Sequence, residues 1–136
     1  MEMKPYVNFA GTCAEALRYC QQHLGGKVTR MMTHGQMPGP SPARADWKDK
    51  VLHARITIAG SELLAADIPN AEPMRSAYLT LFYDADDAAE QAFAALADGG
   101  QVFMPLAEAF FASRFAQLRD RFGINWTILH ERPSQG

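Results

Sequence analysis

The chain has 136 residues, which is enough for one domain of ordinary size or for one domain built from two small halves. Its composition of 48% hydrophobic, 10% aromatic and 21% charged residues is typical of a globular protein with a buried core, and it excludes disordered, collagen-like and coiled-coil chains. The formal net charge of -2 argues against nucleic acid as a partner. No apolar stretch is long enough to cross a bilayer, and the first residues lack a signal-peptide pattern. We therefore expect a cytoplasmic protein with no membrane partner.

The first half of the chain is predicted to fold as a strand, a helix and three further strands. The predicted strands are residues 6–9, 27–32, 51–59 and 62–66, and the last two form a hairpin. Thr12 as N-cap and Glu15 as its capping-box partner begin the helix, and Gly25-Gly26 ends it. The apolar stripe of this helix is formed by Cys13, Leu17, Cys20 and Leu24. The two cysteines lie too far apart along one helix for a disulfide, so we expect both to be buried apolar side chains.

The second half of the chain repeats this order of elements. The predicted strands are residues 78–83, 101–104, 114–119 and 124–130. Asp84 is predicted to cap a helix that ends at Gly99-Gly100. The apolar stripe of this helix is formed by Ala89, Ala92, Phe93 and Leu96. Residues 106–118 favour a helix on propensity alone, and we interpret part of them as strand only by analogy with the first half.

An offset of about half the chain indicates two copies of one βαβββ module. The predicted modules are residues 1–68 and 74–132, which together form one domain. Residues 35–42 contain three prolines and are predicted to be a long loop inside the first module. The tail from Pro133 is expected to be loosely held.

Four parts of the chain carry a resemblance to a known family. They are PYVNF at 5–9, ALRY at 16–19 leading to Gly25-Gly26, LHA at 52–54 leading to LAAD at 64–67, and the run GGQVFMPLAEAFFASRFAQLRDRFGINW at 99–126. In these segments the chain resembles the PhnB-like branch of the vicinal oxygen chelate superfamily, which includes glyoxalase I, extradiol dioxygenases and bleomycin-resistance proteins. The resemblance implies an α+β fold in which two βαβββ modules form an open, mixed, barrel-like sheet around a cleft. It also implies that the helices lie outside the sheet and that the protein is a homodimer.

The implied cleft gives the two faces of each strand different roles. Along residues 51–58, Leu52, Ala54, Ile56 and Ile58 suit the helix layer, whereas Val51, His53, Arg55 and Thr57 would look into the cleft. We expect ligand contacts from His53, Arg55, Asn8, Tyr78, Thr80, Phe111, Trp126 and Thr127, and strand parity adds Asn125. Such a surface suits a small polar or anionic ligand with an apolar part. Two alternatives stay open: the face is merely solvated, and Trp126 belongs to the core.

Within this surface, each candidate residue type has an expected task. Arg55 would attract an anionic group, and His53 and Tyr78 would donate hydrogen bonds to the ligand. Phe111 and Trp126 would supply an apolar wall. The remaining histidines are His23, His34 and His130, and we assign none of them a functional role.

The resemblance also raises the question of a metal. Superfamily enzymes typically hold one divalent ion with His, Glu or Gln near the start of the first strand of each module and on its last strand. At these positions the chain has Tyr6, Tyr78 and Trp126-Thr127, and only Glu62 is an acid near such a position. One carboxylate does not hold a catalytic ion against water, so we expect no metal cofactor. A divalent metal stays possible only through weak candidate ligands, His53 and Glu62.

The sequence leaves three functions open. The first is a PhnB-like, glyoxalase-fold protein that binds a small organic molecule without the usual metal. The second is a metal-dependent isomerase, lyase or dioxygenase with displaced ligands. The third is a structural or regulatory dimer whose cleft is vestigial. No phosphate-binding loop or nucleophilic triad is found in the sequence, so the catalytic residues are unknown and enzymatic activity is undecided.

Overall fold

The computed structural model describes residues 1–37 and 45–133. In chain order the strands and helices are β1 (Tyr6–Phe9), α1 (Cys13–Leu24), β2 (Lys27–Thr33), β3 (Val51–Ile58), β4 (Ser61–Asp67), β5 (Leu79–Phe82), α2 (Asp86–Ala97), β6 (Gln101–Ala109), β7 (Ala112–Arg119) and β8 (Asn125–Glu131). Two single-turn 3-10 helices, His34–Gln36 and Ala45–Trp47, lie between β2 and β3. Residues 38–44, which include the three prolines of the loop predicted at 35–42, and residues 134–136 of the predicted tail lie outside the described residues. No described helix has the length and apolar character needed to span a membrane.

The chain divides into two compact units, unit 1 (Met1–Glu72) and unit 2 (Pro73–Gly136). Unit 1 has a four-stranded sheet in the order β1-β4-β3-β2, in which β1 is parallel to β4 and the other neighbours are antiparallel. Unit 2 has a four-stranded sheet in the order β5-β8-β7-β6 with the same pattern of directions. The predicted α+β class and the two βαβββ copies are therefore confirmed.

The core of unit 1 lies between α1 and one face of its sheet. The helix buries Cys13, Ala16, Leu17 and Cys20, while the sheet buries Val7, Phe9, Ala54, Ile56, Ile58, Leu63 and Ala65. These residues follow the 3.6-residue period of a helix and the two-residue period of strands, so burial of apolar side chains explains why they fold as they do. Val51 departs from the alternation: it is buried, because the register between β2 and β3 shifts beside it.

The two cysteines of α1 are buried and are not joined in a disulfide, as predicted. Burial raises the pKa of the Cys13 thiol to about 12, with a smaller contribution from the charge of Asp67. A thiol with so high a pKa is almost never ionised at neutral pH, which argues against a reactive role. Gly25 ends the helix with a φ of 66°, the left-handed conformation expected there.

The core of unit 2 lies between α2 and one face of the second sheet. Its buried apolar members are Ala89, Ala92, Leu96, Ala112, Ala116, Leu118, Trp126 and Ile128. The segment whose propensity favours a helix, residues 106–118, forms the end of β6 and most of β7. Alternate residues of β7 are buried while the strand pairs with both neighbours, so tertiary contacts override the helical propensity.

The predicted starts of both helices need correction. Thr12 is the N-cap of α1, but its side chain makes no capping hydrogen bond. Asp67 performs this task instead, since its Oδ1 accepts the N–H groups of Gly11 and Cys13, each at 2.9 Å. The second helix begins at Asp86 with Ala85 in the N-cap position, so the prediction that Asp84 caps it is wrong.

Candidate functional site

The sheet of unit 1 has a polar face on the side opposite α1. We use the name polar face for the surface that carries Tyr6, Asn8, His53, Arg55, Thr57 and Glu62. Strand register places these residues together, because Tyr6 and Arg55 both lie opposite Leu64, and Thr57 lies opposite Glu62. Tyr6 and Asn8 are exposed, while the others are half-buried. The predicted ligand residues Asn8, His53 and Arg55 thus share one surface.

Tyr6 and His53 form a hydrogen-bonded pair on the polar face. The Tyr6 hydroxyl lies 3.2 Å from His53 Nδ1, and the two rings are 5.9 Å apart. Burial raises the pKa of Tyr6, so the pair is a neutral hydroxyl against an imidazole nitrogen. The hydroxyl donates to Nδ1 when the ring proton of His53 lies on Nε2, and it accepts from Nδ1–H in the other tautomer. The sequence prediction omitted Tyr6, although its alternation with Asn8 places it on the same face.

Glu62 lies between two cations on the same face. Its Oε1 accepts from Lys4 Nζ at 2.8 Å and from Arg55 Nη1 at 3.3 Å. The hydrogen bond from Lys4 and, less strongly, the charge of Arg55 lower the pKa of Glu62 below its ordinary value of 4.5. Lys4 was also missed by the sequence prediction, because its partner lies far along the chain.

Arg55 has one hydrogen-bond donor without a partner. Its Nε is buried and has no acceptor among the described residues, although 43% of the side chain is exposed. Leaving such a donor unmatched in a folded protein costs about 1–3 kcal/mol. An unpaired donor on a positively charged group is a place where an anionic acceptor would be stabilised.

The positions at which superfamily enzymes hold a divalent ion do not fit a metal in this chain. The Tyr6 hydroxyl is hydrogen-bonded to His53, and the Glu62 carboxylate is hydrogen-bonded to Lys4 and Arg55. In the described ranges, no three or more His, Cys, Asp and Glu side chains converge as metal ligands would. The donor chemistry at these positions is thus that of ion pairs and hydrogen bonds. The absence of a metal cofactor stays a prediction.

Five of the predicted ligand residues lie in unit 2: Tyr78, Thr80, Phe111, Trp126 and Thr127. Thr127 Oγ1 accepts from Gln117 Nε2 at 3.1 Å, and Thr80 lies opposite Thr127 in the sheet. The ring of Tyr78 packs edge-on against Phe103 at 6.4 Å, and that of Phe111 packs against Phe115 at 5.2 Å. Within unit 2 the structure pairs Thr80 with Thr127, whereas Tyr78 and Phe111 each pack against a different phenylalanine.

Trp126 and Asn125 have structural contacts in unit 2. Trp126 is 1% exposed and its indole N–H donates to Asp120 Oδ2 at 2.8 Å. It lies on the face that packs against α2, so it is a core residue, which is the alternative that the sequence left open. The Asn125 amide donates to the carbonyl groups of Arg75 and Ala77, and its oxygen accepts from Arg119. Asn125 thus ties β8 to the segment before β5.

Ser113, His130 and Asp86 form a polar cluster near the start of α2. Asp86 Oδ1 lies 2.7 Å from both Ser113 Oγ and His130 Nδ1, and Ser113 Oγ lies 2.9 Å from the same ring nitrogen. A catalytic triad needs the serine and the carboxylate on opposite nitrogens of the ring. Because both contact Nδ1 here, this cluster is not arranged for nucleophilic catalysis.

His34, like His130, was left without a functional role by the sequence analysis and has structural contacts. His34 is buried, its Nε2 lies 3.1 Å from the carbonyl oxygen of Asp67, and its ring meets Trp47 edge-on. The carbonyl can only accept, so Nε2 carries the proton. His34 therefore links the first 3-10 helix to the end of β4.

The chain is similar to a known protein family, to a protein of known sequence and to several solved structures. The model of the Glyoxalase/Bleomycin resistance protein/Dioxygenase superfamily matches residues 4–128. Protein YjdN of Escherichia coli (strain K12) is 31% identical over 148 residues, covering 99% of this chain and 100% of that protein. The crystal structure of protein PA1353 from Pseudomonas aeruginosa is 39% identical with a TM-score of 0.86, covering 98% and 99% of the two chains. A structure from Bacillus cereus named a putative 3-demethylubiquinone-9 3-methyltransferase, PhnB protein, is 20% identical with a TM-score of 0.82 over 96% and 99%, and shows the fold alone.

Proposed function

The chain belongs to the Glyoxalase/Bleomycin resistance protein/Dioxygenase superfamily, and from this premise we propose that it binds a small organic molecule with an anionic group on the polar face of unit 1. We propose that it does so without the divalent ion of the superfamily enzymes. The observation that carries the proposal is the buried Nε of Arg55, a cationic donor for which the described residues provide no acceptor. An acid group of the ligand would supply that acceptor.

The neighbours of Arg55 support this choice of ligand. His53 lies two positions away on β3, and its ring adds a second hydrogen-bonding group to the same face. The exposed ring of Tyr6 offers an apolar contact beside these donors. Donors next to an aromatic ring suit a molecule that combines an acid group with an apolar part.

The contacts of Glu62 support binding without a metal. Lys4 and Arg55 already neutralise this carboxylate through Oε1, so a divalent ion bound there would be repelled by two nearby cations. The remaining candidate, His53, has its Nδ1 engaged by Tyr6. Homodimer formation, a cytoplasmic location and a cleft enclosed by both modules stay predictions from the resemblance.

The proposal is tested by a thermal-shift screen of small carboxylates and phosphonates, including benzoate. We expect at least one acid to raise the melting temperature, because a ligand that binds only the folded state stabilises it. Its dissociation constant should rise roughly 10- to 100-fold in Arg55→Gln, since a charged hydrogen bond contributes about 1.5–3 kcal/mol. Arg18→Gln is the matched control, because Arg18 lies exposed on α1 and its loss removes the same charge from the same unit. Equal affinity in Arg55→Gln and wild type would refute the proposal.

The metal-free part of the proposal has a separate test. Protein purified without an affinity tag should contain no stoichiometric Mn, Fe, Ni or Zn by elemental analysis. Adding each ion should leave the melting temperature unchanged, since no donor set stabilises the folded state through it. Stoichiometric metal that is lost in His53→Ala would favour the metal-dependent enzyme instead.

A further inference from the structure

We propose that Glu62 is a positioning residue of this ligand site. It holds Arg55 by Nη1, so that the opposite edge of the guanidinium, Nε with Nη2, receives both oxygens of the acid group side by side. This inference rests on the proposed function, because it assigns a task within the same site. It also narrows the ligand to organic acids whose acid group presents two oxygens side by side to a guanidinium, as a carboxylate or a phosphonate does.

The contacts of Arg55 show which edge of its guanidinium lacks a hydrogen-bond acceptor. Nη1 is 3.3 Å from Glu62 Oε1, whereas Nε is buried without an acceptor among the described residues. In a planar guanidinium, Nε–H and one N–H of Nη2 point the same way, and their spacing matches the two oxygens of a carboxylate. Glu62 contacts Nη1 and does not occupy this edge, so an acid group that displaces the atoms covering Nε meets two donors side by side there.

The position of Glu62 is fixed from two sides. It lies opposite Thr57 while Arg55 lies opposite Leu64, so Glu62 and Arg55 are diagonal neighbours on antiparallel strands, a spacing that long side chains bridge. Lys4 Nζ holds the same oxygen, Oε1, at 2.8 Å. Because one carboxylate oxygen is shared between two cations, Arg55 has fewer rotamers available than a free arginine, which lowers the entropy lost on binding.

Glu62 has two opposing effects on an anionic ligand. As a negative charge near the site it repels the acid group, although the nearby Lys4 offsets much of that repulsion. As an anchor it favours binding by keeping the guanidinium in place. The sign of the change on removing its charge therefore shows which effect dominates.

The test uses benzoate as the probe, with the neutral isostere benzamide and the tetrahedral anion phenylphosphonate as comparison ligands. Titration calorimetry gives the affinities, and the Nε–H NMR signal of Arg55, assigned with Arg55→Lys, reports contact with the proposed edge. We expect benzoate to bind and to shift this signal, and benzamide to do neither. Phenylphosphonate should also bind and shift this signal, because it too offers two oxygens to the edge. Binding of benzamide as tight as that of benzoate would overturn the need for an acid group.

The decisive variants change Glu62 itself. In Glu62→Gln, benzoate affinity should fall roughly 3- to 10-fold although the local positive charge increases, because the anchor is weakened. In Glu62→Asp the charge is kept but the carboxylate is drawn back by one methylene, and affinity should fall by a similar factor. Each variant is first shown to unfold at the wild-type temperature within a few degrees. Glu62→Asp serves as the readout if Glu62→Gln fails this check.

The control variant changes a residue of unit 2, and the possible results separate failure of the positioning role from failure of the proposed function. Glu90 makes a comparable ion pair with Arg114, at 3.1 Å, so Glu90→Gln should leave benzoate affinity unchanged. Equal or tighter binding in the Glu62 variants, while Arg55→Gln still loses affinity, would overturn the positioning role and leave the proposed function standing. If Arg55→Gln also binds benzoate like wild type, or if no probe binds, both proposals fail.

Discussion

The two units share one topology but secure the start of their helices in different ways. In unit 1 a single buried carboxylate, Asp67 at the end of β4, accepts the N–H groups of Gly11, Cys13 and Val51. In unit 2 the acid is on the helix itself: Asp86 contacts Ser113 on β7 and His130 on β8. The same architecture is thus compatible with the acid on the strand or on the helix. The difference predicts that the first arrangement contributes more to stability, because its donors are buried backbone groups.

The units also differ in how they use an arginine on the sheet. In unit 2, Arg119 donates to the Asn125 side chain and the Met74 carbonyl, and its guanidinium lies 5.3 Å from the centre of the Phe103 ring. In unit 1, Arg55 has a single ion pair with Glu62 and an unmatched Nε. An arginine with several internal partners stabilises the fold, whereas one with an unmatched donor can serve a ligand.

The largest effect on stability is expected from removing the buried carboxylate of unit 1. Asp67→Ala leaves three backbone N–H groups without their acceptor, and we expect the free energy of unfolding to fall by about 3–5 kcal/mol. Urea denaturation measures this loss, and hydrogen exchange should place it in α1 and the start of β3. Asp84→Ala, in an exposed residue before α2, is the control and should change stability by less than about 0.5 kcal/mol. A loss of similar size in Asp86→Ala would remove the distinction between the two helix starts.

A smaller effect on stability is expected from replacing Arg119 or Arg55 by glutamine. Arg119→Gln should lower the free energy of unfolding by about 1–3 kcal/mol, because Asn125 and Met74 each lose a donor. Arg55→Gln should change stability by less than about 1 kcal/mol, since its only ion pair is partly exposed. Benzoate affinity should show the opposite order, with the larger loss in Arg55→Gln and the smaller change in Arg119→Gln. A loss of benzoate binding in Arg119→Gln with unchanged stability would move the ligand site to unit 2.

The smallest effect concerns the pH dependence of the cluster in unit 2. Hydrogen bonds from Ser113 and then from His130 lower the pKa of Asp86 below its ordinary value of 3.8. A carboxyl group whose pKa is lower in the folded state adds stability above its unfolded pKa, and this stability is lost as the pH falls through the folded value. Asp86→Asn should therefore be less stable than wild type at neutral pH, and the difference should vanish below the folded pKa.

Thermal unfolding over a pH series measures this difference. Asp87→Asn is the control, because Asp87 lies on the same turn and, among the described residues, its carboxylate accepts from the N–H of Ala88. A wild-type advantage that persists unchanged to low pH would show that the carboxylate charge of Asp86 does not matter.

The sequence by itself determined the repeated βαβββ order, the buried stripe of α1 and the placement of His53 and Arg55 on one face of β3. These features follow from periods of two and 3.6 residues, which are local properties of the chain. Tertiary structure decided the rest. Asp67 replaced the predicted capping box from a distant strand, β7 formed where propensity favours a helix, and strand register joined Tyr6 to His53 and Glu62 to Lys4 and Arg55. Such contacts depend on which strands become neighbours, and long-range packing of the core sets that arrangement.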